Sequence, residues 1–555
     1  MDTATTSHAR TRSRAWWLVA GFLIAAFLAR GPLYLSVFPP FEGWDEYQHL
    51  AYIVHLDETG TMPVYESRVS LALRPLVVAM PHSPSGAEQL QEWGALSYAD
   101  YWNASTRSAG ANRQTSSSSS PRLYQSQHPP LFYVLALPIW RALDPLEAVS
   151  AIRAMNLLLV AAALVLFAGA LERLVPAFAP RVAVFALVCL HPLFFQNVAR
   201  VANDALAVAT GLAGISLLVL ADGRTLLTRG LLAAVCIAAS VWSKQTSLTL
   251  IPALVVGLPL IGWAHGVPVG RLWRVTCIAG VAFLLLVAPL WLWTYQHYGV
   301  LLSTQDSVEL AARGSVMAAL TTSFVNMAWW PVVDTLFVPG RAWVGGWSFL
   351  PMQETLANLY KWYFSILVAV AAVGAVVAMR RRRSLERVAT VPGGNDGALA
   401  GLAICAAVVL FTALGMTYHA VLSHAVYGRS MTNTWYFMTA LPFLFVLLAR
   451  GLDAISQRFA IVAAAILALL FVAIDVHGTW VQMPRFYAST EDAALQWSRL
   501  TTIHPAILSG DLRWWFLAMQ FAALGLVVGG LAYAWRIERN PAWAELPQTS
   551  LRSTS

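Results

Sequence analysis

The chain is short of charge, of lysine and of cysteine. Only 12% of its 555 residues are Asp, Glu, Lys or Arg, against 58% hydrophobic, a balance that no soluble fold needs. Lysine occurs only as Lys244 and Lys361, so arginine carries nearly all of the positive charge behind the formal net charge of +8. That charge is not a nucleic-acid signal, because basic residues in membrane proteins mark cytoplasmic loops. Cys189, Cys236, Cys277 and Cys405 all lie inside apolar runs. They form neither a disulfide framework nor a metal-binding spacing, and buried structural positions are expected for them. No repeat of 20–50 residues is visible. The chain also lacks the matching broken helices in two halves that mark secondary transporters. The first apolar run has no small-residue cleavage site, so it is expected to be retained as a helix rather than removed as a signal peptide.

What is there is a series of apolar runs, each long enough to cross a bilayer as a helix of about 20 residues. The expected fold is an all-α polytopic membrane protein with about twelve transmembrane helices. They fall near 15–37, 149–171, 180–198, 205–221, a fifth rising to 242–245, then 248–264, 274–294, 360–379, 398–416, 433–450, 459–475 and 514–535. Arg10, Arg12 and Arg14, the run Arg380 to Arg383, and Arg536 with Arg539 place both termini in the cytoplasm. The parts are then a cytoplasmic tail (1–14), a membrane core (15–294) with a long external loop (39–148), a second external region (295–358), C-terminal helices (359–535) and a cytoplasmic tail (536–555). A Ser run at 115–120 reads as loop, 391–397 as a cytoplasmic linker, and 131–140 as a helix too short to span that lies along the outer leaflet.

The stretch around which the chain is organised follows the first run: Phe38-Pro39-Pro40-Phe41-Glu42-Gly43-Trp44-Asp45-Glu46-Tyr47-Gln48-His49. Ionisable groups at a membrane exit are costly unless paired and are usually functional. If Asp45 begins a helix, Asp45 and His49 share a face able to hold a cation or take a proton, while Glu46 points about 100° away. The plain alternative is Asp45 as an N-cap. The residues that follow (Tyr47, Leu50, Ala51, Ile53, Val54, Leu56) read as an interface-lying segment. Arg30, late in the first run, is expected to snorkel.

Asp45, Glu46, His49, His128, Asn203, Asp204, Lys244, His419 and Arg429 all fall on the external side in this topology. Carboxylates for proton abstraction or metal binding beside cations for a phosphate fit transfer from an anionic lipid-linked donor. Taken singly, each has a bland reading: Asp204 as a cap, Lys244 as a snorkelling side chain, Arg429 as a loop charge, His128 as part of a turn before two prolines.

These motifs resemble the GT-C class of integral membrane glycosyltransferases, which includes protein O-mannosyltransferases and lipid A aminoarabinose transferases. Asp45-Glu46 is similar to the acidic pair that follows the first span in that class, and His128-Pro129-Pro130 to its His-Pro-Pro or Lys-Pro element. Arg153, with Asn156 one turn on, matches the arginine near the start of the next span. Asp204 within Asn203-Asp204-Ala205-Leu206 matches the second acid, and Ser243-Lys244-Gln245 the hairpin lysine. Gly428-Arg429 resembles a Gly-Arg-Tyr element in which Ser430 replaces the tyrosine.

The resemblance implies a GT-C-like fold and a polyprenyl-phosphate-linked monosaccharide donor presented from outside. Asp45 would be the base, with Glu46 and Asp204 placing the acceptor or a divalent ion. Lys244, Arg429, His128, Arg153 and Asn203 would bind phosphate or substrate. No cofactor is required; a divalent cation at Asp45 and His49 is an optional addition. The partners implied are the donor lipid, the membrane, and a protein, lipid or polysaccharide acceptor, with no nucleic acid. The localisation implied is the plasma or inner membrane. Two other readings use the same residues: a transporter or flippase, and an inactive relative that serves cell-envelope assembly.

Overall fold

In hydrocarbon only a helix can satisfy its own backbone, so the apolar runs fold as helices and end where Gly, Pro or charge intervenes. A computed structural model describes residues 3–103, 120–301, 304–312, 314–337, 344–386, 396–430 and 433–503, with scattered helical residues between 518 and 536. Most of the Ser run, residues 391–395 of the linker, most of the span at 514–535 and the C-terminal tail lie outside the described residues, as do Arg341 and the side chains of Arg10, Arg12 and Arg381 to Arg383, while Asp396 and Gly397 of the linker open a helix instead.

Eight described helices are long and apolar enough to cross a membrane: Ser13–Val37, Pro145–Leu174, Leu226–Ser243, Gln245–Ala264, Val269–Tyr298, Glu354–Arg380, Gly397–Tyr427 and Gln457–Ala488. A ninth is added if Phe178–Leu190 and Pro192–Val198, bent by 50°, count as one span. His191 sits at that bend, where its Nδ1 accepts the Phe194 N–H at 3.1 Å and Pro192 cannot donate. The count of about twelve is therefore not reached among the described residues. Asp204–Leu220 has 17 residues and Leu441–Ile455 has 15, both short for a span. Strand content among the described residues is a two-residue parallel pair, Pro81–His82 with Leu96–Ser97.

Three local expectations change. Helix Glu46–Thr59 does not lie on an interface: Tyr47 to Val54 are buried, packed with Phe132, Tyr133, Ala136, Val149 and Ile152. Its polar residues Glu46, Gln48 and His49 are buried as well, each with an internal hydrogen-bond partner (Arg153, the Arg122 carbonyl and the Tyr133 hydroxyl), so the helix is held inside the protein. Leu131–Ala142 is instead the helix with an outward apolar face, at Val134 and Leu135. Arg30 does not snorkel; it is 4% exposed, with Nη2 at 2.5 Å from Asp475 Oδ1 and Nη1 donating to the Cys189 carbonyl at 3.0 Å. An internal carboxylate is a better partner than a distant interface. His419 lies not in a loop after 416 but inside helix Asp396–Tyr427, which contains no proline and runs on to Gly428 at φ +70°. Among the cysteines, Cys189 and Cys405 are buried as expected, while Cys277 is exposed.

The helices pack closely where glycines allow it. A Cβ added at Gly374 would stand 1.9 Å from the Gly451 carbonyl oxygen, so helices Glu354–Glu386 and Leu441–Ile455 touch backbone to backbone there. The polar core lies at one end of the bundle, under the loop that connects Val37 to Pro145.

Candidate active site

Residues 38–45 form a tight connection in which two non-glycine residues take left-handed backbone, Phe41 at φ +67° and Asp45 at φ +59°. Such positions cost about 1–3 kcal/mol each and persist where surrounding contacts over-determine them. A Cβ on Gly43 would stand 3.0 Å from both Arg200 Cβ and the Glu46 carboxyl carbon, so the turn is wedged against its neighbours. Asp45 occupies the N-cap position of the following helix, yet its side chain makes no cap hydrogen bond. It turns outward instead. Its Oδ1 accepts from the Tyr124 hydroxyl at 2.5 Å and its Oδ2 from Gln125 Nε2 at 3.2 Å.

Beneath it, Asp204 opens helix Asp204–Leu220 and takes two cations. Lys244 Nζ stands 2.6 Å from Oδ1 and Arg200 Nη2 stands 2.8 Å from Oδ2, all three side chains nearly buried. Lys244 is placed by the junction between Leu226–Ser243 and the helical turn Gln245–Leu250. Its ammonium also lies 5.1 Å from the centre of the Tyr436 ring. Arg200 is held by the Asn197 side chain at 2.9 Å and the Trp44 carbonyl at 3.1 Å.

These groups line one cavity of about 630 Å³, within the range of small-molecule sites. It brings together Asp45, His49, His128, Asp204, Lys244 and Arg429 of the sequence-derived candidates, and His419 with them. Arg429 is exposed, and among the described residues it has no acidic partner. Trp44, Trp347, Phe349, Trp435 and Tyr436 supply aromatic wall, with Trp44 and Trp435 stacked at 4.6 Å. On the far side Asp306 Oδ2 lies 3.8 Å from His419 Nδ1.

Glu46, Arg153 and Asn203 do not line it. Glu46 is fully buried and bidentate with Arg153, Oε1 to Nε at 2.8 Å and Oε2 to Nη2 at 2.5 Å. It also accepts the Val201 N–H at 2.7 Å, while Arg153 donates to the Phe38 and Pro39 carbonyls at 2.8 Å. The pair therefore ties the 38–45 turn to the segment carrying Arg200. Asn203 donates to the Ser243 carbonyl at 2.7 Å and so fixes the helix start of Asp204 to the backbone beside Lys244.

Burial raises the Asp45 carboxyl above the ordinary aspartate value; the Tyr124 hydrogen bond and the charges of Arg200 and Lys244 pull it part of the way back. His128 is lowered to about 3 by burial and by nearby Lys244, so at neutral pH it is an uncharged imidazole. His49 is lowered for the same chief reason, and its Nδ1 is 2.9 Å from the Tyr133 hydroxyl. Asp306 is raised by burial, against the pull of His419 and Tyr427.

A resident divalent cation finds a poor donor set. Both Asp204 oxygens are occupied by cations and both Asp45 oxygens accept hydrogen bonds. Among the described residues no three His, Cys, Asp or Glu side chains gather as metal ligands.

Arg122, Tyr124, Gln125, Arg200, Asp306, Trp347, Phe349, Trp435 and Tyr436 also line the cavity and were not singled out from sequence. Arg200 was readable, since it stands four residues before Asp204 and can pair with it across one turn. The others arrive from distant segments that only the fold brings together.

No family model and no curated protein matches the chain. Among solved structures it is similar to the Archaeoglobus fulgidus oligosaccharyltransferase in its apo form, at 11% identity and a TM-score of 0.40. The match covers 87% of this chain and 59% of that one, so the chain spans about three fifths of that protein's length. A likeness at that level says nothing about individual residues.

Proposed function

We propose that the chain is a membrane glycosyltransferase that moves a monosaccharide from a polyprenyl-phosphate-linked donor to an acceptor hydroxyl on the extracytoplasmic side. The observation that supports this reading is the meeting of Asp45 with the Asp204–Lys244–Arg200 cluster in one cavity, beside the exposed Arg429, which has no acidic partner among the described residues. An acid with a raised pKa near cations at a membrane boundary suits proton abstraction beside a phosphate leaving group.

In this mechanism the acceptor oxygen attacks the anomeric carbon as the bond from that carbon to the phosphate oxygen breaks. The electron pair leaves with the polyprenyl phosphate, the acceptor proton passes to Asp45, and the anomeric centre inverts. Lys244 and Arg429 stabilise the phosphate as its charge grows. Neutral His128 donates or accepts a hydrogen bond rather than supplying charge. Asp204 holds Lys244 and Arg200 in place. Glu46 and Arg153 act through the backbone they tie together rather than on the reacting atoms. The aromatic wall suits stacking against a sugar ring.

The test is release of polyprenyl phosphate by purified protein in nanodiscs, using a panel of synthetic polyprenyl-phosphate sugars. Release by the wild type that is lost in Asp45→Asn supports the reading. Equal release by both removes Asp45 from the chemistry. No release from any donor by folded protein favours transport or assembly.

A further inference from the structure

A second cavity, of about 580 Å³, lies on the same loop-covered end of the bundle. It is lined by Tyr98, in the short helix Tyr98–Trp102, and by helix Met483–Ala488 with Gln482 before it, bringing Phe486 and Arg485. The two helices are joined by Trp102 Nε1, which donates to the Tyr487 carbonyl at 2.9 Å. Leu350 forms the floor.

That floor belongs to the strap that also walls the first cavity. Trp347 and Phe349 face Asp45's cavity, while Leu350, one residue on, lines the second. The strap is pinned by Glu42: its carbonyl accepts the Trp347 N–H at 2.5 Å and its Oε1 the Ser348 N–H at 2.8 Å. The Tyr98 hydroxyl donates to the other carboxylate oxygen of Glu42 at 2.7 Å. One buried side chain therefore fixes both the partition between the cavities and a wall of the second.

The chemistry of the second cavity is specific. Phe486 is half-buried and packs edge to face on the buried Tyr98, ring centres 5.7 Å apart at 62°, so the aromatic surface open to the groove is that of Phe486. Its two charged side chains, Arg485 and Glu491, pair with each other, so the groove offers no net charge to a ligand. Gln482 donates its Nε2 to the Pro351 carbonyl at 3.2 Å, and among the described residues its buried Oε1 has no hydrogen-bond partner. Aromatic faces, planar amide and guanidinium groups, and zero net charge fit an uncharged, hydroxyl-rich ligand better than a phosphate or a charged peptide.

We propose that this groove holds a stretch of uncharged saccharide belonging to the acceptor, one strap away from the base that activates its terminal hydroxyl. The inference rests on the reading of the neighbouring cavity as a glycosyl-transfer site, and it makes the acceptor a glycan rather than a bare lipid or a protein side chain.

The test uses the full chain in nanodiscs and a panel of uncharged hexasaccharides of glucose, mannose, galactose and arabinose, read by titration calorimetry. At least one should bind, and Phe486→Ala should weaken it tenfold or more. Gln482→Ala, a milder change, should weaken the same ligand and keeps the test informative if Phe486→Ala does not fold. Binding unchanged in folded variants, or no binding by any hexasaccharide, overturns the proposal. So does a neutral hydrophilic peptide that binds where glycans do not and is lost in the same variants. Release of polyprenyl phosphate is read in the same samples with and without the hexasaccharide that binds, the release without it reporting attack by water. A wild type that binds a hexasaccharide yet releases none in either condition refutes glycosyl transfer, whereas normal release with unaltered hexasaccharide binding in the variants refutes only the groove.

Discussion

The Tyr124 hydroxyl reaches across 79 residues of chain to donate to Asp45 Oδ1 at 2.5 Å. The contact holds a carboxylate that its own helix leaves uncapped, and it stabilises the ionised form that a base needs. Tyr124→Phe removes that support at little cost in volume. The acid limb of the pH–rate profile for polyprenyl phosphate release should then move up by about one pH unit or more, the equivalent of about 1.5–3 kcal/mol for a hydrogen bond to charge. An unmoved limb would mean that Asp45 is not the titrating group.

In the wild type the same limb should already lie above the ordinary aspartate range, because burial raises Asp45 more than its partners lower it. Activity should be lost as pH falls through that raised value, since the proton then occupies the base. A profile flat down to the ordinary aspartate value would contradict this.

Glu46 and Arg153 separate structure from chemistry. Glu46→Gln leaves the Arg153 charge buried without its partner, which should cost about 3–5 kcal/mol and lower the unfolding temperature in detergent by several degrees. Glu46→Gln with Arg153→Met should recover much of that loss, because the stranded charge is gone. Folded Glu46→Gln should still release polyprenyl phosphate with an unshifted pH profile. Loss of turnover at full stability would return Glu46 to the reacting atoms.

Glu42 gives a stability signature. Burial pushes its carboxyl up from about 4.5 to about 7, so the folded protein keeps a proton that the unfolded chain gives up. The stability this adds is complete below about 4.5 and is lost as pH rises through about 7. The unfolding temperature should fall over that window in the wild type, and Glu42→Gln should flatten this part of the curve. Equal slopes in the two proteins would show that Glu42 does not carry the effect.

Gly374→Ala tests the close approach of two spans. The added methyl meets the Gly451 carbonyl oxygen at 1.9 Å, a backbone atom that no rotamer change can move. The helices must part and lose the contacts they share, so stability should drop by several kcal/mol, with little change in donor affinity in whatever folds.

The helices themselves were legible because long apolar runs have one solution in a bilayer. The convergence of Asp45, Asp204 and Lys244 in one cavity agrees with their common place at the ends of apolar runs. Glu46 shows what linear adjacency hides. It neighbours Asp45 in sequence, but a step of about 100° around the helix sends it to Arg153. Arg30 and Asp475 are 445 residues apart, and nothing local announces their pairing. Tyr124 and Gln125 are ordinary polar residues until the chain returns past Asp45. The fate of helix Glu46–Thr59 depended on what covers it, and periodicity does not report coverage.

In the proposed transfer the two cations on Asp204 have a kinetic meaning beyond their geometry. Each already holds a carboxylate before any phosphate arrives, so Asp204 is a tethered rival for the same positive charge. A leaving group must displace part of that contact to be held, and when it departs the carboxylate closes the gap without waiting for solvent. Under that reading such a site sacrifices tight binding of the spent carrier and in return empties quickly, which favours repeated turnover.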